Sequence, residues 1–297
     1  MNFKEVLLVV NPIAGHTDKK KIIFEIQEYL EKSKINFHLY STVGENDREN
    51  IRARVKDHQI DRVLIAGGDG TINLVADAIK DLKLTLGILP AGSANGLAKN
   101  FNIPEELDEQ ISTALGSNFI DLDVLCLNDI ICLHLSDLGI NAELIKNYDR
   151  SVFRGKFGYL IQSIPTLIQS EYPYEFTIET DKVTTEAKAV LLGIANANKY
   201  GTGANVNPQG VPNDGVFEIL IFKKLSLGEI LKTLRNETDL DPDFVEIIPA
   251  KKAKVTSKKP VAFQIDGEYI GKVTEIDIKI LPEKLRIAIP DSLKFHN

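Results

Sequence analysis

Hydrophobic and polar positions follow one pattern along the first part of this chain and another beyond about residue 120. In the first part, short apolar runs are separated by segments of helical period. Val6 to Val10 predicts a strand, Ile22, Ile23, Ile26, Tyr29 and Leu30 mark one face of a helix, and Phe37 to Tyr40 predicts a second strand. A weaker helix around Arg48 to Lys56 precedes a strand at 62–66, a helix at 71–81, a strand from Leu84 to Leu89 and a helix near 105–115. Repeated strand and helix predict a mostly parallel sheet with ligand sites at the carboxyl ends of its strands. The loops at 11–15, 67–70 and 90–96 each follow a strand and should converge on that edge.

Beyond Phe119 the runs become β-rich and are separated by turn signals: Ile120 to Leu127, Ile130 to Leu135, Tyr174 to Glu179, Ala189 to Ala195, Val216 to Phe222, Lys251 to Thr256, Val261 to Ile265 and Glu275 to Ile280. They predict a mainly antiparallel second domain. Two helical stretches interrupt it, one carrying Tyr159, Leu160, Ile164, Leu167 and Ile168, the other Leu227, Ile230, Leu231 and Leu234. Both read as core-packing faces. The expected division is 1–120 and 121–285, with the tail 286–297 able to return to the first domain.

Composition narrows the function. A chain of 297 residues with 43% apolar positions can fill two ordinary cores. A net charge of −7 argues against nucleic acid as the main partner, because phosphate backbones demand a basic surface. No secretory apolar core follows Met1, and no run of about 18 apolar residues occurs, so a cytoplasmic protein without a transmembrane segment is expected. Cys126 and Cys132 are too few for a disulfide framework and read as buried strand residues.

The candidate chemistry begins at Gly67-Gly68-Asp69-Gly70-Thr71-Ile72-Asn73, between the apolar run 62–66 and a helix. Glycines let backbone approach a ligand, and a helix amino terminus attracts phosphate. Asp69 within such a loop repels a triphosphate unless a divalent cation or its water lies between them. A metal–nucleotide site and a plain turn with Asp69 as helix cap are both open on these residues. Asp214 and Asp266 each precede a glycine between apolar runs, which locally reads as a hairpin turn. The P-loop pattern and the dinucleotide Gly-x-Gly-x-x-Gly at the first turn are missing.

Asn11-Pro12-x-x-Gly15, the Gly67 to Thr71 loop, and Gly92-Ser93-x-Asn95-Gly96-Leu97-Ala98 occur in order at strand ends, followed by Pro212-Asn213-Asp214-Gly215 and Asp266-Gly267-Glu268. This ordered set resembles the diacylglycerol kinase catalytic-domain family, which includes bacterial soluble lipid kinases and the sphingosine and ceramide kinases. The resemblance implies a Rossmann-like or phosphofructokinase-like α/β nucleotide domain followed by a mainly antiparallel β-sandwich. It implies ATP as phosphoryl donor, with Asn11, Thr42, Gly67 to Asn73 and Ser93 around the nucleotide. Asp214 with the carbonyls of Val211 and Val216 would hold Mg²⁺. Glu268 or Asp266 would accept the proton of a lipid hydroxyl, and Asp69 would organise metal and water. Glu143 falls roughly where sphingosine kinases carry a head-group acid, although a helix-surface glutamate is the plainer explanation.

Departures from the family pattern bear on the acceptor. Gly96 stands where many diacylglycerol kinases have aspartate, and the segment Leu133 to Ala142 lacks the usual asparagine-containing strand. His134 within that segment reads as a core residue. A lipid acceptor requires transient visits to a membrane surface, and edge strands of the second domain could pair into a homodimer. Two alternatives stand beside the lipid kinase: an NAD kinase-like enzyme, whose family also carries Gly-Gly-Asp-Gly-Thr, and a degenerate kinase that binds lipid or nucleotide without turnover.

Overall fold

The computed structural model describes residues 4–12, 19–149, 173–200, 204–224, 226–235, 237 and 239–293. The expected helix over Tyr159 to Ile168 and the loop residue Gly15 lie outside the described residues. The chain forms two compact units, one of residues 1–123 with 282–297 and one of residues 124–281.

In the first unit, β1 (Glu5–Val10), α1 (Lys19–Lys32), β2 (Asn36–Ser41), α2 (Asp47–Asp57), β3 (Arg62–Gly67), α3 (Asp69–Ile79) and β4 (Thr85–Pro90) follow the predicted alternation. A short α4 (Gly96–Asn100), which the apolar pattern does not predict, precedes α5 (Leu107–Ala114). β1 pairs in parallel with β2 on one side and β3 on the other, and β3 pairs in parallel with β4. The chain therefore moves outward from β1 to β2 and then returns to place β3 on β1's opposite side. This reversal makes the carboxyl ends of β1 and β3 a topological switch point, where open α/β sheets bind ligands. β1 and β3 read as continuous apolar runs because helices cover the sheet. Val6, Leu8, Val10 and Leu64 pack with Ile26 and Leu30 of α1 and Ile111 of α5. The tail joins this unit: Arg286 and Ile287 pair in parallel with Thr85 and Leu86, and the Asn118 side-chain amide donates to the carbonyls of Pro290 and Leu293.

The second unit is mainly antiparallel, as expected. Its strands are β5 (Phe119–Leu127, which begins in the first unit), β6 (Ile130–Cys132), β7 (Leu135–Gly139), β8 (Tyr174–Thr180), β9 (Thr184–Ala189), β10 (Leu191–Ala195), β11 (Lys199–Tyr200), β12 (Ala204–Asn205), β13 (Phe217–Phe222), β14 (Val245–Ala250), β15 (Lys252–Ile265) and β16 (Glu268–Ala288). Two described helices, α6 (Ile140–Asp149) and α7 (Leu227–Leu234), accompany them. The runs 251–256 and 261–265 are one strand rather than two. β15 pairs with β8 through Ala253 to Ser257 and with β7 through Phe263 to Ile265, while its pairing with β16 shifts register between Thr256 and Val261. The intervening Ser-Lys-Lys-Pro stretch is therefore a bulge that redirects the strand, which suits a proline that cannot donate to a ladder. Phe176, Phe217, Phe263, Ile178 and Ile194 form the core, with Cys126 and Cys132 buried.

Candidate functional site

At the switch point the glycine loop is held from three directions. The Asn11 side-chain amide donates to the Thr71 hydroxyl at 3.3 Å, and the Ala91 N–H donates to the Gly67 carbonyl at 2.9 Å. A Cβ on Gly67 would lie 2.5 Å from that of Thr71, so only glycine fits beneath the helix start. Gly68 and Gly92 meet backbone to backbone: a Cβ on Gly92 would stand 2.5 Å from the Gly68 Cα. Asn95, at φ 53, fixes the third loop by accepting from the Gly92 N–H and donating to the Gly92 carbonyl.

Asp69 does not cap its own helix. Its carboxylate accepts the N–H of Gly96 at 2.8 Å and of Leu97 at 3.0 Å, at the start of α4. The negative charge therefore faces a positive helix end, which favours it. Gly68, the N-cap of α3, supplies no side-chain hydrogen bond. The N–H groups of Thr71 and Ile72 donate to the Gly68 carbonyl, and the eleven-residue helix begins in a glycine loop whose N-cap adds no side chain, an arrangement suited to an anion. The Asp69 carboxylate is thus held against the start of α4. That coupling spans 27 positions and carries no local sequence signal.

The remaining predicted nucleotide residues lie on the same sheet edge. Thr42 is buried and its N–H donates to the Val10 carbonyl, which places it at the end of β2 beside Asn11. Ser93 is exposed in the third loop, and Asn73 is half-buried in the first turn of α3. Ile72 is a core side chain, so only its backbone can serve a ligand. Asp47, which the sequence reading missed, shapes the loop after Thr42. Its carboxylate accepts from the Tyr40 hydroxyl at 2.6 Å and from the N–H groups of Val43 and Gly44. Burial pushes this carboxyl up, but the three hydrogen bonds outweigh it and hold the group below its ordinary value.

In the second unit, Asp266 and Gly267 form the two-residue turn joining β15 to β16, with φ of 48 and 90. This is the hairpin that Asp-Gly predicts. The Asp266 carboxylate accepts the backbone N–H groups of Leu133, His134 and Leu135 at 2.8 to 2.9 Å, and the Cys132 thiol donates to it at 3.5 Å. Burial, followed by the nearby Asp266 charge, pushes that thiol well above its ordinary value and keeps it inert. Gln264 braces the turn: its amide oxygen accepts the Gly267 N–H, and its amide nitrogen donates to the fully buried Asp137. Asn141 donates to the same oxygen of Asp137. Polar residues interrupting apolar strands at 136–137 and 264 were the available signal for this network. Glu268, two positions beyond Asp266, is exposed.

The turn 211–216 leads into β13 and is not a hairpin between paired strands, since β12 pairs with β11. Asp214 is exposed and accepts the Val216 N–H at 3.0 Å, which brings its carboxylate and the Val216 backbone onto one turn with Val211. A carboxylate and two carbonyls form an all-oxygen donor set that fits a hard cation. Among the described residues no group of three or more His, Cys, Asp or Glu is arranged to hold a metal. On β13, burial pushes Glu218 up to about 6, with the Asn207 hydrogen bond opposing and the Asp214 charge adding to the rise. Glu143 lies in the first turn of α6, where a helix amino terminus favours an acid without any ligand. His134 is buried. No described helix is long and apolar enough to cross a membrane.

Residues 5–127 match the diacylglycerol kinase catalytic domain, and residues 136–289 match the YegS C-terminal NAD kinase beta sandwich-like domain. The chain is 26% identical over 296 residues to "Probable lipid kinase YegS" of Salmonella typhimurium, with 97% of each chain covered. It shares the fold of a diacylglycerol kinase from Bacillus anthracis, with a TM-score of 0.78 and 18% identity over 99% of this chain and 100% of that one. An NAD kinase from Archaeoglobus fulgidus, solved in complex with ATP, aligns with a TM-score of 0.54 and 14% identity, covering 97% and 94%.

Proposed function

Because the chain belongs to the diacylglycerol kinase catalytic-domain family and carries its YegS-type C-terminal domain, we propose that it transfers the γ-phosphate of ATP to a lipid hydroxyl with the help of Mg²⁺. The observation that carries this reading is the start of α3. Its amino terminus opens into a glycine loop at the switch point while the carboxylate of that loop, Asp69, is held on α4. Gly67 to Asn73, Asn11, Thr42 and Ser93 surround the nucleotide in this reading, and Asp69 positions the loops without touching phosphate.

Of the two carboxylates at the β15–β16 turn, Glu268 is the better base. Asp266 already accepts three backbone N–H groups and cannot swing to a substrate without leaving them unpaired, whereas Glu268 is exposed beside it. In the reaction the lipid oxygen forms a bond to the γ-phosphorus as the bond to the β-phosphate bridge breaks, and Glu268 takes the hydroxyl proton. Asp214 with the carbonyls of Val211 and Val216 would hold Mg²⁺, which when bound supplies positive charge and fixes that loop. The lipid acceptor places the working protein transiently at a membrane surface.

A second reading, phosphorylation of a nicotinamide dinucleotide, draws on the shared fold of the Archaeoglobus fulgidus enzyme. Incubation with γ-labelled ATP and Mg²⁺ separates the two, using micellar diacylglycerol, monoacylglycerol, sphingosine, ceramide and phosphatidylglycerol beside soluble NAD. Label in one lipid supports the proposal and names the acceptor. Label in the dinucleotide alone selects the second reading, and nucleotide binding without transfer selects a non-catalytic binding protein.

A further inference from the structure

Glu268 begins β16 directly after the Asp266-Gly267 turn, and the β15–β16 ladder alone holds that turn loosely. The ladder shifts register between Phe263 and Gln264, so only Gln264↔Tyr269 and Ile265↔Glu268 are paired between the irregularity and the turn. Two side chains add ties to the β7 side. Asp266 fixes the entry of the turn by accepting the N–H groups of Leu133, His134 and Leu135. Gln264 fixes its exit, accepting the Gly267 N–H at 2.7 Å through its amide oxygen.

The second tie works with the Gln264 amide in one orientation only. Turned over, it would set its NH₂ group against the Gly267 N–H, donor against donor. Asp137 decides the orientation. It stands opposite Gln264 in the β7–β15 register, is fully buried, and on its Oδ2 receives the amide nitrogens of Gln264 at 2.6 Å and Asn141 at 2.7 Å. A carboxylate only accepts, so the Gln264 NH₂ must face it and the amide oxygen must face Gly267. A neutral amide at 137 could serve either orientation. Packing alone would favour an apolar side chain at this position, since a buried carboxylate loses its hydration.

We infer that Asp137 is a positioning residue for phosphate transfer: through Gln264 it holds the Gly267 N–H and so sets where the Glu268 carboxylate stands. The inference rests on the kinase reading in which Glu268 takes the proton. Asp137, fully buried, acts only through its neighbours.

The test is a double-mutant cycle of turnover on the lipid that the parent chain labels from ATP, with hydrogen exchange of the Gly267 amide followed in the same proteins. Asp137→Asn should lower turnover by about tenfold to a hundredfold, leave the KM for ATP unchanged and speed exchange at Gly267. In a Glu268→Gln chain the same substitution should cost nothing further. Asp137→Asn combined with Gln264→Glu reverses the polarity of the pair, so that a carboxylate at 264 accepts from both the amide at 137 and the Gly267 N–H; it should restore turnover and protection. Gln264→Met, which removes the link and leaves Asp137 bonded to Asn141, should repeat the loss and decides the matter if Asp137→Asn does not fold. Equal losses in the parent and Glu268→Gln backgrounds would overturn the inference, as would full turnover in a folded Asp137→Asn or Gln264→Met chain. A parent chain that labels no lipid contradicts the kinase reading instead, and Gly267 exchange then tests the link alone: protection unchanged by Asp137→Asn would overturn it.

Discussion

Gly68 and Gly92 touch through their backbones, so closely that a Cβ on Gly92 would fall 2.5 Å from the Gly68 Cα and 2.8 Å from the Asn95 amide oxygen. Neither the opposing backbone nor the Asn95 side chain, which binds Gly92 at both its N–H and carbonyl, can yield cheaply. Gly92→Ala should therefore destabilise the chain by about 1–3 kcal/mol. It should also weaken ATP binding, because the two loops can no longer close together. Gly228→Ala, whose added Cβ would meet nothing within 4 Å, should be neutral or slightly stabilising. Chemical denaturation with parallel nucleotide titration checks both.

Asp69→Asn keeps the shape but sets an amide where two backbone N–H groups require acceptors. One of them is left facing a donor, at a cost of about 1–3 kcal/mol. Nucleotide affinity should fall together with melting temperature. An unchanged melting temperature with lost turnover would mean that Asp69 serves the phosphates directly.

Asp266→Asn should be mainly a stability mutation, costing about 2–3 kcal/mol because a charge-assisted acceptor of three N–H groups becomes a neutral one. Denaturant unfolding measures it directly.

Asp47 gives the chain an acid-sensitive contribution. Its carboxyl is held below the ordinary value of 3.8, so the stabilisation is complete above that value and disappears as pH falls through the lowered one. Asp47→Asn should cost about 1–3 kcal/mol at neutral pH, and the gap to the parent chain should close in strong acid. A gap that persists at all pH values would contradict the assignment.

The loops of the α/β unit were legible because glycine and proline punctuate strands whose apolar runs are unmistakable. The destination of each side chain was not. Asp69 reads as a cap for the helix it begins, yet its partners lie at Gly96 and Leu97, and only tertiary packing brings α4 there. α4 itself escaped because five residues after a left-handed Asn95 carry no period. β9 escaped because its Thr-Thr-Glu-Ala-Lys-Ala sequence forms an edge strand whose residues are largely exposed, so alternation of hydrophobic residues never develops. Asp266-Gly267 was legible as a turn from its residue types, but the backbone it clamps comes from Leu133 to Leu135 and is invisible in the local sequence.

In the proposed reaction Glu268 takes the proton during phosphate transfer to a lipid, while Asp266 only holds the turn. The most direct measurement is the turnover of Glu268→Gln on whichever lipid the parent chain labels from ATP, with its melting temperature recorded alongside. Turnover should fall by about 10²–10⁴-fold with an unchanged melting temperature. Turnover within a few fold of the parent would remove Glu268 from that role.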